Sequence, residues 1–317
     1  MKKIILIICL LAFYIGKLEA QSYISQYDYL RSYRGKGTVD TLDWAKIKIT
    51  YSLDYMPDSL EKGYILKDRK ILLIGDKYNH FFSYYVRQQD SVLTADWDRN
   101  KNSAPINWEK DILGEGYEIF VNLPEKGKQT VKEFITNLSI YRYMESSDPP
   151  TWSIHSDTST ILNYLCTKAT TRFRGRDWTV WFCPDIPVDA GPWKLRGLPG
   201  LILKVADSRN HYIFECIGME QLDGKKEPIL YGRAANHSST KCTREEYRKV
   251  QKRFYEDHTN MLRIFGFNIN VMDNNGEYID RLPTLDTSLA EKHVSWSTRI
   301  SKEDLDRKLP YNPIELE

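Results

Sequence analysis

Alternation of apolar and polar residues constrains this chain more than any other feature. Ile47, Ile49, Tyr51 and Leu53 interleave with Lys46, Lys48, Thr50 and Ser52, the period-two pattern of a strand with one buried and one wet face. Comparable runs recur at 70–74, 81–86, 117–121, 152–154, 161–168, 178–182, 201–205, 212–217, 267–271 and 278–280. Gly75-Asp76, Ser208-Arg209-Asn210 and Asn275-Gly276 separate neighbouring runs, and turns this short join antiparallel strands. The long helical crossovers that parallel strands require are scarce. The expected class is α+β: a predominantly antiparallel, strongly curved sheet, with a half-barrel as one form it can take.

One helix accompanies the strands. Thr243 and Glu246 have the spacing of a capping box, and Tyr247, Val250, Phe254, Met261, Leu262 and Phe265 form an apolar stripe that Gly266 ends. This predicts a single helix over 244–265, packed on the sheet, with Lys249, Lys252 and Arg253 on its solvated side. From about residue 283 the pattern turns polar and aperiodic. The expected organisation is a leader over 1–20, one β-rich domain over 21–285 and a polar tail over 286–317, with a short helix near Ser301.

The leader is read from Lys2 and Lys3, the apolar stretch from Ile4 to Ile15, and the small residue Ala20. That order is a secretory signal peptide, and the stretch is shorter than the ~20 residues of a membrane-spanning helix. Its removal takes three lysines and Glu19 from the 45 basic and 43 acidic residues, leaving a neutral chain, which argues against a general nucleic-acid binder. It also discards Cys9 and leaves Cys166, Cys183, Cys216 and Cys242. An even number of cysteines in an exported chain points to disulfides.

If Arg174-Gly175 is a two-residue turn, Thr170 faces Thr179 and Cys166 faces Cys183. Of the three connectivities four cysteines allow, the preferred one joins Cys166 to Cys183 and Cys216 to Cys242. Lys168, Arg172, Arg174 and Arg176 gather at the hairpin tip, with the three arginines on one period-two face if the strands extend that far. Guanidinium groups so placed suit a phosphate or carboxylate; a solvated tip paired with Asp177 is the competing account.

The connection after Cys183 holds Pro184, Pro187, Gly191, Pro192, Gly197, Pro199 and Gly200, with Trp193, Leu195 and Leu198 on its apolar side. Prolines fix φ and glycines permit turns closed to other residues, so the loop is rigid. Gly197-Leu198-Pro199-Gly200-Leu201-Ile202 resembles the motif that names the GLPGLI family of exported proteins of Bacteroidetes-type bacteria. Cys166, Lys168-Ala169, Phe173-Arg174-Gly175-Arg176, Trp178, Trp181-Phe182, Ile186-Pro187 and Gly191-Pro192-Trp193 extend the likeness over 152–217. The resemblance implies a periplasmic or secreted protein of a Gram-negative cell, in a family without an established molecular function. It supplies no catalytic residues.

Chemistry-bearing motifs are sparse. His80, His155, His211, His237, His258 and His293 are scattered without an HExxH, and His155 with Asp157 lacks a third ligand. There is no GxSxG. Gly35-Lys36-Gly37-Thr38 lacks Walker spacing, and Asp273-Asn274-Asn275-Gly276 reads as a hairpin turn. Asp185 and Asp189 lie in the stiff loop, where capping explains them better than a divided acid/base pair.

The function these observations favour is a non-enzymatic cell-envelope protein that binds a lipid, a lipidated chain or an envelope partner. Arg172, Arg174, Arg176, Trp181, Trp193 and Leu198 are the candidate binding residues. No catalytic residue, cofactor, metal, nucleic acid or membrane span is expected, and the oligomeric state is left open. Residues 313–317 do not resemble a glycine-rich sorting domain, which favours periplasmic retention over export past the outer membrane. The alternatives are an envelope hydrolase of glycans or peptides, and a purely architectural loop with Trp193 and Leu198 buried.

Overall fold

The computed structural model describes residues 39–60, 63–88, 116–136, 139–222, 224, 227–232, 239–273, 275–285, 296–305, 309 and 311–317. The leader over 1–20, the turn at 35–38 and residues 286–295 of the expected tail lie outside them. The chain divides into two compact units, one drawing on Ser32–Lys249 and Pro310–Glu317, the other on Val250–Leu309.

The larger unit contains a sheet of twelve strands. In chain order they are β2 (Ile47–Tyr55), β3 (Leu66–Ile74), β4 (Asn79–Ser83), β5 (Tyr117–Val121), β6 (Lys128–Thr136), β7 (Ser139–Ser146), β8 (Ser153–Ile161), β9 (Tyr164–Phe173), β10 (Arg176–Cys183), β11 (Leu201–Asp207), β12 (Tyr212–Gln221) and β14 (Thr240–Lys241). Their spatial order is β14-β7-β6-β5-β4-β3-β2-β12-β11-β10-β9-β8, antiparallel throughout except for the parallel pair β14 and β7. A separate ribbon pairs β1 (Asp40–Trp44) with β13 (Pro228–Tyr231).

The alternation along β2 sends Ile49, Tyr51 and Leu53, all fully buried, to one face. There they join Phe81, Ile119, Val131, Tyr143, Val180 and Phe214 in the main core. The continuous run Ile71–Ile74 in β3 does not alternate because both its faces are covered. Leu72 and Ile74 enter the main core, while Ile71 and Leu73 meet Ala45, Phe82, Leu222 and Ile229 in a second cluster.

Curvature follows from long-range pairing. Glu145 on β7, second in the strand order, forms a 2.7 Å ion pair with Arg174 in the β9–β10 turn, near the opposite end. The sheet therefore bends until its two ends approach, yet β14 and β8 do not pair and the barrel stays open.

The predicted hairpin register holds: Thr170 faces Thr179 and Phe182 faces Thr167. The turn is made by Arg174 (φ 52°) and Gly175 (φ 79°), left-handed at both positions as a tight hairpin requires. The run expected as one strand over 161–168 instead ends β8, turns at Leu162 (φ 49°) and Asn163 (φ 66°), and begins β9. Its apolar residues conceal a turn without glycine or proline.

The expected disulfides are absent, and the four cysteines are free. Cys166 and Cys183 are both buried, and the Cys166 thiol turns to the Tyr164 carbonyl (3.5 Å). Cys216 and Cys242 have separate surroundings. The Cys216 thiol turns to the Gly218 carbonyl (3.6 Å) beside an irregularity in the β12–β2 ladder, and that of Cys242 turns to the Arg142 carbonyl (3.8 Å).

The single predicted helix is two: α1 (Arg244–Glu256) and α2 (His258–Ile264). The capping box is present in both directions, with the Glu246 N–H donating to Thr243 Oγ1 (3.1 Å) and the Thr243 N–H to Glu246 Oε2 (2.7 Å). The break falls at Asp257, whose backbone (φ −148°, ψ 60°) leaves the helical region, so the apolar stripe spans two helices. The boundary between the two units also falls inside α1.

The smaller unit has its own sheet, β15 (Phe267–Met272) between β16 (Tyr278–Leu282) and β17 (Trp296–Ser301). It buries Met261, Leu262, Phe267, Ile269, Val271 and Ile300. The β15–β16 turn is closed by Asp273, whose Oδ1 accepts the N–H groups of Asn275 and Glu277, both at 2.8 Å.

Candidate functional site

The stiff loop over 184–200 is exposed at Pro184, Asp185, Pro187, Asp189, Gly197 and Pro199, while its stretch 190–195 with Leu198 and Gly200 is buried and plugs the interior. Trp193, Leu195 and Leu198 are buried in the main core, and the Trp193 ring lies 5.6 Å from both Trp178 and Phe173. A Cβ on Gly200 (φ +159°) would lie 2.1 Å from the Cys183 carbonyl oxygen, and one on Gly197 (φ +94°) 2.2 Å from Pro149 Cβ. These contacts lie inside any van der Waals limit, so the motif glycines are required by close approach. Asp189 closes the loop by accepting the Gly197 N–H and pairing with Arg196 at 3.1 Å.

Trp193 holds a left-handed backbone (φ 57°), a costly conformation for a bulky residue. The next residue, Lys194, is buried with its ammonium 2.6 Å from Glu145 Oε1 and 2.5 Å from Glu315 Oε1. Glu315 is also held by Arg244 at 2.6 Å, and Glu145 by Arg174 at 2.7 Å and by Gln129 Nε2 at 2.8 Å. Lys194 further donates to Tyr143 Oη (3.2 Å), which donates to Glu133 (3.0 Å). Lys194, Arg174 and Arg244 thus share one largely buried network with Glu145 and Glu315, extended through Tyr143 to Glu133.

Its electrostatics decide the ionisation states. Burial pushes the Glu315 carboxyl up, but Lys194 and Arg244, with Arg174 behind them, outweigh it and hold the pKa at about 2. Burial works against the charge on Arg244, yet Glu315 and then Glu145 hold its guanidinium more firmly protonated than usual. Burial, then Glu133, Glu315 and Glu145, push the Tyr143 phenol well above its ordinary range.

Beside this network opens a cleft of about 640 Å³, between the β5–β6 turn, β7, the hairpin tip and the start of α1. Leu123, Pro124, Tyr143, Met144 and Tyr231 supply apolar surface, and Arg142, Arg174, Lys241 and Arg244 line it with positive charge. Arg174 and Arg244 are engaged by the network. Arg142 donates to Tyr231 Oη at 2.8 Å, and neither it nor Lys241 has a carboxylate partner among the described residues. Half-buried Cys242 also faces the cleft; burial, then Glu246, raise its thiol pKa.

The candidate binding residues are not brought together as one surface. The turn at Arg174-Gly175 interrupts the period-two count, so the three arginines have three fates. Arg172 is exposed and pairs with Asp177 (3.1 Å), Arg174 bonds Glu145, and Arg176 is buried on the opposite face with Asp207 at 2.8 Å. Trp193 and Leu198 are buried in the core, and Trp181 is partly buried against it. Of the six, Arg174 alone lines the cleft. His155 bonds Thr170 Oγ1 at 2.8 Å as a strand-face pair.

Lys194, Glu145, Arg244 and Glu315 were missed in the sequence. The one local signal was a lysine between Trp193 and Leu195 on the apolar side of a rigid loop. β7 carries no clean alternation, and Glu315 sits in the stretch that read as a tail.

A family model described as "Protein of unknown function (Porph_ging)" matches residues 174–204, the stretch holding the hairpin turn, the plug and most of the GLPGLI motif. No functionally curated protein matches the chain. Two solved structures of PNGF-II, in the P21 and C2 space groups, are similar with TM-scores of 0.42 and 0.41 at 17% identity. They align with 65% and 64% of this chain and 32% of theirs, so the chain spans about a third of the PNGF-II chains it matches. No helix among the described residues is long and apolar enough to cross a membrane.

Proposed function

We propose that this chain is a non-enzymatic binding protein of the cell envelope whose cleft takes a lipid or lipidated chain with an acidic head group. The cleft carries the reading: its volume of about 640 Å³ lies in the range of small-molecule sites. Apolar surface and cations without carboxylate partners meet within it. An acyl segment rests on Leu123, Pro124 and Met144, the last a pliable side chain suited to variable apolar ligands. Arg142 and Lys241 meet the acidic head.

The hydrolase alternative has weaker support. Glu145 and Glu315 converge on Lys194, but a carboxyl held at about 2 cannot carry the proton that a general acid donates near neutral pH.

The test is titration with oleate and with vesicles containing phosphatidylglycerol, read by the alkylation rate of Cys242. Bound ligand is expected to slow alkylation. The Arg142→Gln, Lys241→Gln double variant is expected to weaken binding at least ~10-fold, since a charge-assisted hydrogen bond is worth ~1.5–3 kcal/mol and 1.4 kcal/mol is tenfold. Saturating amphiphile that leaves both the alkylation rate and the melting temperature unchanged would overturn the proposal.

A further inference from the structure

Residues 311–317 form neither helix nor strand, yet the larger unit holds them as a receptor holds a peptide. Arg176, buried at the base of β10, spends its guanidinium on them. Nε donates to the Ile314 carbonyl (2.9 Å), Nη2 to the Pro313 carbonyl (2.5 Å) and to Asn312 Oδ1 (2.8 Å), and Nη1 is fixed by Asp207 (2.8 Å). Tyr212 Oη donates to the Asn312 carbonyl (2.8 Å), and Asn312 Nδ2 donates to the Met56 carbonyl (2.6 Å). Glu315 enters the cationic pocket of Lys194 and Arg244, and the Leu316 N–H donates to the Arg174 carbonyl (2.9 Å).

Two features distinguish this from the ordinary packing of an irregular segment. The contacts are selective: an amide, an apolar side chain and a carboxylate at 312, 314 and 315 are each buried, so the groove reads a pattern as well as a backbone. The groove is also built by residues far away in the sequence, Arg176, Lys194, Tyr212 and Arg244, while the segment follows directly on the unit formed by Val250–Leu309. Its residence is therefore a binding event within one chain, at an effective concentration set by the tether.

We infer that this groove is a peptide-acceptor site for acidic sequences of the pattern Asn-Pro-apolar-Glu, with 311–317 as its resident occupant. A partner carrying such a segment binds by displacing it. Specificity comes from the cationic pocket, because a peptide without the carboxylate leaves Lys194 and Arg244 buried with too little counter-charge. The groove shares Arg174 and Arg244 with the lining of the cleft, but this inference rests on the contacts of Arg176, Lys194 and Tyr212, none of which lines the cleft.

The test uses full-length protein carrying a site-specific protease sequence inserted between Leu309 and Pro310, so that the chain folds before it is cut. After cleavage, a fluorescent synthetic peptide of sequence 311–317 is added and anisotropy is followed. The expected result is uptake of the peptide with release of the unlabelled segment, at least ~100-fold weaker uptake of the Glu315→Lys peptide, and no uptake by uncut protein at low peptide concentration. Cleaved protein that stays folded by circular dichroism and takes up no peptide overturns the inference, as does equal uptake of the two peptides. Unfolding as the segment leaves also counts against it, because the segment would then be part of the fold and not a guest.

Discussion

The apolar side of the 184–200 plug and the segment 311–317 both pack into the larger unit and meet at Lys194, but away from that residue different physics holds them. The plug is held by shape: Trp193, Leu195 and Leu198 fill the core, and Gly197 and Gly200 permit backbone approaches that a single methyl group would block. The segment is held by charge and hydrogen bonding through Arg176, Lys194 and Arg244. Shape is insensitive to pH and leaves nothing to exchange. Charge depends on pH, and its partners can be substituted by others of like chemistry.

Two substitutions separate the two, and a third, at the exposed hairpin tip, sets the scale of a surface effect. The largest effect is expected for Gly200→Ala in the plug. Its new methyl meets the Cys183 carbonyl at 2.1 Å, and the neighbour is backbone, so at least ~3–4 kcal/mol of stability should be lost. Urea unfolding at pH 7 measures this, and a loss below ~1 kcal/mol would show that the motif glycine is not required by contact.

The second concerns Glu315. Its folded pKa of about 2 lies below its ordinary value of 4.5, so the stabilisation is present above pH 4.5 and fades as pH falls through 4.5 towards 2, amounting to ~3 kcal/mol. Glu315→Gln should destabilise the protein by about this much at pH 7 and little near pH 2, flattening the acid side of the stability profile. An unaltered profile would separate Glu315 from the network. The plug substitution should show no such dependence on pH.

The smallest effect is expected at the hairpin tip. Arg172 pairs with Asp177 in the open, both side chains about 60% exposed, and exposed pairs contribute little. Arg172→Ala should change stability by under ~0.5 kcal/mol and leave amphiphile binding unchanged in the Cys242 assay. A tenfold loss of binding would restore the tip as a recognition surface.

How much was legible follows the same division. The register of the 166–183 hairpin and the capping box at Thr243 were readable because each depends on residues a few positions apart. The break at Asp257 and the turn at Leu162-Asn163 were not, since ordinary residues there adopt backbone conformations that their neighbours do not announce. No disulfide joins the four cysteines in this structure, and Cys216 and Cys242 point into different surroundings.

By itself, the sequence determined the β-rich class, the main antiparallel pairings and the apolar character of the plug, because strand periodicity and turn chemistry act within a few residues. Only the tertiary structure decided that Arg174, Lys194, Arg244 and Glu315 would share one buried network with Glu145. These residues come from the hairpin turn, the plug, the start of a helix, a polar stretch without pattern, and β7. Each alone reads as a solvated charge. The curvature of the sheet removes them from water together, and burial is what turns five ordinary side chains into mutual partners beside a cleft.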